Sequence, residues 1–273
     1  MIDTHCHLNF KAFSDDAEAV ATNMAKEDIS AVVVGCDEVT SRVAINLAKS
    51  QPNLWAAVGL HPTHVLDTPW NDTLMKELAL EDRVVAIGEV GLDWFRFPDN
   101  EADKQRYIDA QYIALHKAIY LAKQLNKPLI LHSRNAYDDL LGVIEKEFVS
   151  DDKLKGTIHC FMGKWQQAQR FLNLGFMIGF TGVITHKTVD ALLLEVVAKV
   201  PFDRILIETD SPYLTPEPYR SEGRKQTGST PRNLPAYVIE VAKKIAELRS
   251  TDTENIIKLT EMNAQRLFRI GKG

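Results

Sequence analysis

Two histidines near the start of the chain have the spacing of a metal-ligand pair. They belong to the stretch Asp3-Thr4-His5-Cys6-His7. In a strand over residues 2–8, His5 and His7 project to the same face, because side chains alternate along a strand. Asp3 shares that face, as a support for a histidine or as a buried structural carboxylate. Histidines at this spacing also arise by chance or bond core carbonyls, so the pattern needs structural context.

The hydrophobic pattern predicts the elements that must position these side chains. Short apolar runs alternate with amphipathic stretches, which is typical of parallel strands separated by helices. Strands are predicted at 2–8, 29–35, 54–61, 84–89, 128–132, 156–159, 175–180 and 204–210. Helices are predicted at 15–26, with Ser14 as its N-cap, and at 40–50, 70–80, 101–125, 137–148, 165–174, 187–200, 234–249 and 252–268. Eight such units imply the α/β class and a single (β/α)8 TIM-type barrel with an extra C-terminal helix, one domain over residues 1–273.

Polar side chains that can bind metal stand where the predicted strands end. Six of them lie at or just past a carboxyl end: His7, His61, Glu89, His132, His159 and Asp210. In a TIM-type barrel these ends surround the mouth where active sites are built. The sequence therefore predicts that the six side chains meet at one edge of the barrel.

The predicted donor set suits divalent ions. The nitrogen donors are His5, His7, His132 and His159, and the oxygen donors are Glu89 and Asp210. A carboxylate can bridge two ions, which a single imidazole nitrogen cannot do. Two ions would stabilise the attacking and leaving oxygens of a displacement at phosphorus and activate a water molecule. This donor set therefore favours hydrolysis without a covalent intermediate.

Composition excludes several protein classes. The chain has 273 residues, of which 45% are hydrophobic and 25% charged, and its formal net charge is -5. A protein that coats duplex DNA is usually basic, so an architectural nucleic-acid binder is disfavoured. Three widely spaced cysteines without a Cys-x-x-Cys pair favour a reducing compartment. With no leader pattern and no apolar run long enough to span a bilayer, we expect a cytoplasmic protein without a membrane partner.

Five ordered motifs resemble the TatD family of metal-dependent deoxyribonucleases, within the amidohydrolase superfamily. They are Asp3-Thr4-His5-Cys6-His7, Gly88-Glu89-Val90-Gly91-Leu92-Asp93, Leu131-His132-Ser133-Arg134, His159-Cys160-Phe161 and Glu208-Thr209-Asp210-Ser211-Pro212-Tyr213-Leu214. The likeness extends from the first strand to Phe268. Any one of these motifs alone is weak, but the five together are specific.

The resemblance implies roles for the predicted donors. It implies two divalent ions per subunit, one on His5, His7 and Asp210 and the other on His132 and His159. Glu89 would bridge the two ions, and Asp210 would also orient or deprotonate the attacking water, so both are expected catalytic residues. The implied activity is phosphodiester hydrolysis of DNA, from a 3′ end. Four histidines favour zinc, manganese, cobalt, nickel or iron over magnesium, although nucleases of this resemblance are usually described as magnesium-dependent.

Two further residues are predicted to contact substrate. Arg134 follows a ligand strand, and its guanidinium matches phosphate oxygens, although a salt bridge to a neighbouring loop is the alternative. His61 ends a strand and would contact a phosphate unless it is a satisfied loop histidine.

Trp94 and Phe95 would stack on bases or pack the barrel. By the same alternation, Cys6 and Cys160 point away from the ligand face, so neither is expected to bind metal.

The largest departure from the family pattern lies in one segment. Between Tyr219 and Asn233 the family usually has a short basic turn, whereas this chain has a longer stretch rich in Ser, Gly, Arg and Lys. Its basic residues are Arg220, Arg224, Lys225 and Arg232. We expect a loop here that gates the barrel mouth, contacts phosphates or is simply solvated.

Two other functions remain open from the sequence. The same activated water would attack a carbonyl in an amidohydrolase-type ester or amide hydrolase, such as a D-aminoacyl-tRNA deacylase. A metal-stabilised scaffold without turnover is disfavoured, because structural zinc sites are usually dominated by Cys and His. The expected partners are DNA ends or other small phosphodiesters, with no obligate protein partner, and the expected state is a monomer.

Overall fold

The described part of the chain is an eight-stranded barrel wrapped by helices, which confirms the predicted fold class. The computed structural model describes residues 1–150 and 154–271. The strands pair in parallel and in chain order. They are β1 (Ile2–Cys6), β2 (Ser30–Val34), β3 (Leu54–Val58), β4 (Val84–Asp93), β5 (Leu129–Arg134), β6 (Gly156–Ile158), β7 (Met177–Phe180) and β8 (Ile205–Ile207).

Helices follow the strands and cover the outside of the barrel. Within the described ranges they are α1 (Ala17–Lys26), α2 (Glu38–Ser50), α3 (Asp72–Ala79), α4 (Glu101–Leu125), α5 (Tyr137–Ser150), α6 (Trp165–Asn173), α7 (Ala191–Lys199), α8 (Tyr219–Thr227), α9 (Val238–Leu248) and α10 (Thr253–Phe268). None of these helices combines the length and the hydropathy needed to cross a membrane.

Closure of the barrel depends on the segment that follows β8. The backbone N–H of Asp210 donates to the carbonyl of His5 at 2.9 Å, and the N–H of His7 donates to the carbonyl of Ser211 at 2.8 Å. These bonds continue the ladder beyond the end of β8. Closure of the barrel therefore places Asp210, which follows β8, beside His5 and His7.

The extra C-terminal helix covers the opposite end of the barrel. The amino group of Met1, just before β1, lies 3.2 Å from the Glu261 carboxylate in α10. Leu267 and Phe268 of α10 pack into a buried cluster with Ile2, at the start of β1. Because α10 lies at the strand starts, it leaves the mouth at the carboxyl ends accessible.

Several elements have different bounds from those predicted, and three of these differences have a structural reason. α1 begins at Ala17 with Asp16 as its N-cap residue, and the predicted cap Ser14 instead ends a short 3-10 turn. β4 continues past Glu89 to Asp93, and Gly88 and Gly91 lie within this strand rather than in a turn. Residues 219–227 form the helix α8 instead of a loop. This helix ends at Gly228, whose left-handed backbone favours glycine.

Candidate metal centre

The mouth of the barrel brings together all six predicted donors. They come from five strand ends: His5 in β1 and His7 just after it, Glu89 in β4, His132 in β5, His159 after β6 and Asp210 after β8. All six are buried or partly buried. At their centre the two oxygens of Glu89 face different groups of nitrogen atoms.

The first donor group surrounds Oε2 of Glu89. Nε2 of His5 lies 3.4 Å from this oxygen, and Nε2 of His7 lies 3.8 Å from it. Oδ1 of Asp210 lies 3.3 Å from Nε2 of His7 and 3.8 Å from Nε2 of His5. Two imidazoles and two carboxylates thus converge on one point.

The second donor group surrounds Oε1 of Glu89. Nδ1 of His132 lies 2.7 Å from this oxygen, and Nε2 of His159 lies 2.9 Å from it. His61 joins the group, with its Nε2 at 3.4 Å from the same oxygen. The structure therefore places His61 against Glu89, where its ring also lies edge-on to His132.

The facing nitrogen atoms fit bound cations. Nε2 of His5 and Nε2 of His7 are 3.1 Å apart, and Nδ1 of His132 and Nε2 of His159 are 3.3 Å apart. Nδ1 of His7 donates to the carbonyl of Val34 at 2.9 Å, so Nε2 of a neutral His7 carries a lone pair. Converging nitrogens and carboxylate oxygens at these separations match the donor chemistry of divalent transition ions.

The electrostatics of the site keep its acids ionised. Burial opposes ionisation of Glu89, but the neighbouring imidazoles, with His159 foremost, hold the pKa of Glu89 well below its usual range. Burial also opposes ionisation of Asp210, and the hydrogen bond and charge of His7 outweigh it, so the pKa of Asp210 is lowered. Burial lowers the pKa of His61 to about 4, so this imidazole is neutral at pH 7.

Two acidic residues for which the sequence predicted no role lie beside the histidines. Oδ2 of Asp93 lies 3.4 Å from Nε2 of His132, the nitrogen that faces away from Glu89. Oε1 of Glu208 lies 3.6 Å from Nδ1 of His159 and also accepts from the N–H of Cys160. Carboxylates in such positions orient ligating imidazoles. Their sequence signal is a carboxylate four residues after Glu89, and another two residues before Asp210.

Asp3 accepts hydrogen bonds from backbone N–H groups and a hydroxyl beside the site, and not from an imidazole. Its carboxylate accepts hydrogen bonds from the N–H of His5, from the N–H of Thr209 and from the Thr209 hydroxyl. Burial outweighs these bonds and raises the pKa of Asp3 well above its usual range. Asp3 therefore ties the first strand to the segment that carries Asp210.

A register shift in β4 directs Glu89 into the mouth. Ile87 pairs with Leu129 and Val90 with Leu131, so β4 uses one more residue than β5 over this interval. The backbone at Gly91 has a φ of +154°, and a Cβ there would collide with the carbonyl of His132. Glycine is therefore required where the two ligand-bearing strands approach each other.

Of the predicted substrate contacts, Arg134 lies at the rim of the same mouth, whereas His61 lies deeper, beside Glu89. Arg134 is exposed at the end of β5, and its guanidinium carbon lies 3.6 Å from the centre of the Phe95 ring. Phe95 is 57% exposed, so part of its ring faces solvent. Trp94 instead packs on Phe97 and donates through Nε1 to Asp139 at 2.7 Å.

The basic segment after β8 divides into two parts. Arg232 binds Asp16 through two hydrogen bonds of 2.6 and 2.9 Å and anchors the chain to the start of α1. Arg224 in α8 donates to the Thr230 hydroxyl, and Tyr219 stacks on Tyr237 with the ring centres 3.7 Å apart. The segment thus consists of α8, which is held by the Tyr219 and Arg224 contacts, and of an anchor at Arg232.

Comparison with known proteins identifies similar chains over the full length. The family model described as TatD related DNase matches residues 2–269. The uncharacterized metal-dependent hydrolase YabD of Bacillus subtilis strain 168 is 37% identical over 274 residues, covering 99% of both chains. The 3′-5′ ssDNA/RNA exonuclease TatD of Pantoea vagans is 30% identical over 276 residues, covering 99% of this chain and 100% of that protein. The crystal structure of YjjV, a TatD homolog from Escherichia coli K12, matches with a TM-score of 0.84 at 29% identity, covering 99% of this chain and 98% of that one.

Proposed function

Because this chain belongs to the TatD-related DNase family and is a metal-dependent hydrolase, we propose that it removes nucleotides from the 3′ end of single-stranded DNA by hydrolysing phosphodiester bonds. The whole chain, residues 1–273, acts as one domain in this proposal. A relative covered over its full length carries the name 3′-5′ ssDNA/RNA exonuclease, which supports the substrate and the polarity.

The division of donors by Glu89 is the observation that carries the proposal. One oxygen faces His5 and His7, and the other faces His132 and His159. In the proposal His5, His7 and Asp210 hold one divalent ion, and His132 and His159 hold another. Glu89 joins both groups. A pair of such ions supplies charge stabilisation to the attacking and leaving oxygens of a displacement at phosphorus.

Asp210 is the proposed proton acceptor for the attacking water. Its side chain is 17% exposed, whereas that of Glu89 is 4% exposed, so Asp210 is the carboxylate that reaches the open mouth. Asp210 is ionised at neutral pH, so it can accept a proton. Asp210 also contacts His7 through Oδ1, which fixes the orientation of the carboxylate.

Arg134, His61 and Phe95 are proposed to position the terminal nucleotide. The exposed guanidinium of Arg134 can donate two parallel hydrogen bonds to phosphate oxygens. Stacking on the Phe95 ring holds that guanidinium at the rim. The exposed part of the Phe95 ring offers an apolar surface for a base. His61 is neutral, so it can donate a hydrogen bond to a phosphate oxygen without adding charge.

α8 is proposed to extend the binding track for a longer strand. The helix starts nine residues after Asp210 and carries Arg220, Arg224 and Lys225 against one acidic residue, Glu222. Arg220 and Arg224 are four residues apart and therefore share a helix face. Replacing the three cations with Ala should raise the KM for a long oligonucleotide and make its salt dependence shallower, by about 0.7 in log–log slope per lost phosphate contact. Hydrolysis of a small aryl phosphodiester should not change.

A control variant tests whether the loss of a surface cation elsewhere has the same effect. Lys243→Ala removes a cation from α9, where it pairs with Glu240 at 2.8 Å, and should leave the salt slope unchanged. An unchanged KM and slope for the triple variant of α8 on the long oligonucleotide would contradict the proposed track.

The main test uses single-stranded DNA labelled at either end. Metal-free protein is reconstituted with magnesium, manganese or zinc and compared with Glu89→Ala. Stepwise shortening from the 3′ end, absent in the variant, is the expected result. No cleavage by protein that holds two ions would refute the nuclease. Ester and amide hydrolysis, including D-aminoacyl-tRNA deacylation, would then be tested, because the same donors can serve attack on a carbonyl.

A further inference from the structure

A cysteine thiol faces the first donor group. Cys36 follows β2, and its side chain is buried. Its N–H donates to the Thr40 hydroxyl at 2.9 Å, and its carbonyl accepts from the N–H of His61 at 2.8 Å. The backbone of Cys36 is therefore fixed on both sides. β2 lies between β1 and β3 in the barrel, so this strand end opens into the same mouth.

The position of the sulfur matches that of a ligand atom. Sγ of Cys36 lies 3.7 Å from Oε2 of Glu89, the oxygen that faces Nε2 of His5 and Nε2 of His7. It also lies 4.0 Å from Nδ1 of His7, the nitrogen that donates to the carbonyl of Val34. Neighbouring ligand atoms at about 2.0–2.3 Å from a five-coordinate ion are separated by roughly 2.8–4.0 Å. His7, Cys36 and Glu89 each present a donor atom within 4.8 Å of the others. The thiol thus lies on the side of Glu89 that faces His5 and His7.

The other two cysteines have different surroundings. Sγ of Cys6 donates to the carbonyl of Val32 at 3.6 Å, and Sγ of Cys160 lies 3.5 Å from the Thr181 hydroxyl. These contacts are with a backbone carbonyl and a hydroxyl, whereas Cys36 contacts a carboxylate and an imidazole. Of the three thiols, Cys36 is the one positioned to act on an ion.

We propose that Cys36 supplies a sulfur ligand to the ion of the first donor group. The inference rests on the proposed function, because it assumes that His5, His7, Glu89 and Asp210 hold that ion. On binding, the metal–sulfur bond forms as the S–H proton is released to solvent. A thiolate is a soft ligand, so it favours zinc, cobalt or iron(II) over magnesium in this group. The two ions of this enzyme then differ in chemistry, with sulfur beside only one of them.

Cobalt spectroscopy tests this without an activity assay. Metal-free protein is titrated with Co²⁺, and the near-ultraviolet charge-transfer band between thiolate and cobalt is recorded together with the visible bands of bound cobalt. The wild type should develop the thiolate band as cobalt binds. Cys36→Ser should lose that band but retain visible bands. Cys160→Ser, the matched control, should keep both.

Metal affinity provides a second measurement. Cys36→Ser should bind Zn²⁺ at least about tenfold more weakly, the lower end of the loss expected around metal sites, while Mg²⁺ binding stays the same. Circular dichroism of the metal-free variants checks that each is folded. Wild-type protein that binds cobalt without a thiolate band would overturn the inference and leave the proposed function standing. A band retained in Cys36→Ser would also overturn it. Failure to bind any cobalt would refute the proposed function as well.

Discussion

Replacing Glu89 with Gln should uncouple the two donor groups of the site. The substitution keeps the shape of the side chain and replaces one oxygen with an amide NH₂, which cannot bind a cation. Imidazole nitrogens lie 2.7–3.8 Å from each of the two oxygens, so replacing either oxygen places the NH₂ group beside at least two histidines. The negative charge that both groups share also disappears. Both ions should therefore bind more weakly.

The size of the effect follows from the number of groups affected. Disturbing the surroundings of one metal site typically costs about 10–100-fold in affinity or activity. Glu89 faces two donor groups, so the combined loss in kcat/KM should be about 10²–10⁴-fold. That corresponds to ~3–5 kcal/mol of transition-state stabilisation.

The assay combines metal analysis with hydrolysis of a small aryl phosphodiester, which needs no contacts beyond the centre. Glu145→Gln is the matched control, because it removes the same charge from the surface of α5, where Glu145 binds Arg170 at 2.9 Å. The control should retain wild-type metal content and rate. Glu89→Gln protein that binds two ions as tightly as the wild type and turns over at the same rate would refute the bridging role.

Other perturbations test the rim, an anchor and the core. Arg134→Ala should raise the KM for an oligonucleotide about 10–100-fold, because a hydrogen bond to a charged group contributes ~1.5–3 kcal/mol, and an unchanged KM would exclude a phosphate contact. The bond to Arg232 lowers the pKa of Asp16, so this pair stabilises the fold above the ordinary aspartate pKa of about 4 and ceases to do so as the pH falls through the lowered value. Melting temperatures of wild type and Asp16→Asn should accordingly differ at pH 7 and converge in acid; an equal difference at both would contradict the pairing. Phe171 is fully buried against Phe176, so Phe171→Ala should lower the free energy of unfolding by about 3–5 kcal/mol in urea titrations, and a negligible loss would show that the site collapses around the gap.

Much of the barrel could be predicted because the hydrophobic pattern is local. Runs such as Ala31–Val34 are apolar throughout and buried, as expected for a strand covered on both faces. The alternation with helices then limits the topology to a few arrangements. The motifs at the strand ends predicted the family, which the full-length family match confirmed.

α8 could not be predicted because its sequence lacks an apolar face. Residues 219–227 are almost entirely polar, and such a stretch resembles a solvated loop. The helix is instead fixed by the stacking of Tyr219 on Tyr237 and by the left-handed backbone at Gly228. The stacking depends on how the chain returns after β8, which periodicity does not report.

The sequence by itself determined which residue types stand at the strand ends, because strand and helix periodicity arise from neighbours in the chain. It did not determine which atoms of those residues meet. The register shift in β4, the path of the chain after β8 and the closure of the barrel decide that Glu89 faces two donor groups. The same closure brings the thiol of Cys36 within 3.7 Å of the Glu89 carboxylate, 53 residues away in sequence. Distances of this kind depend on pairing between distant strands, and only the tertiary structure sets them.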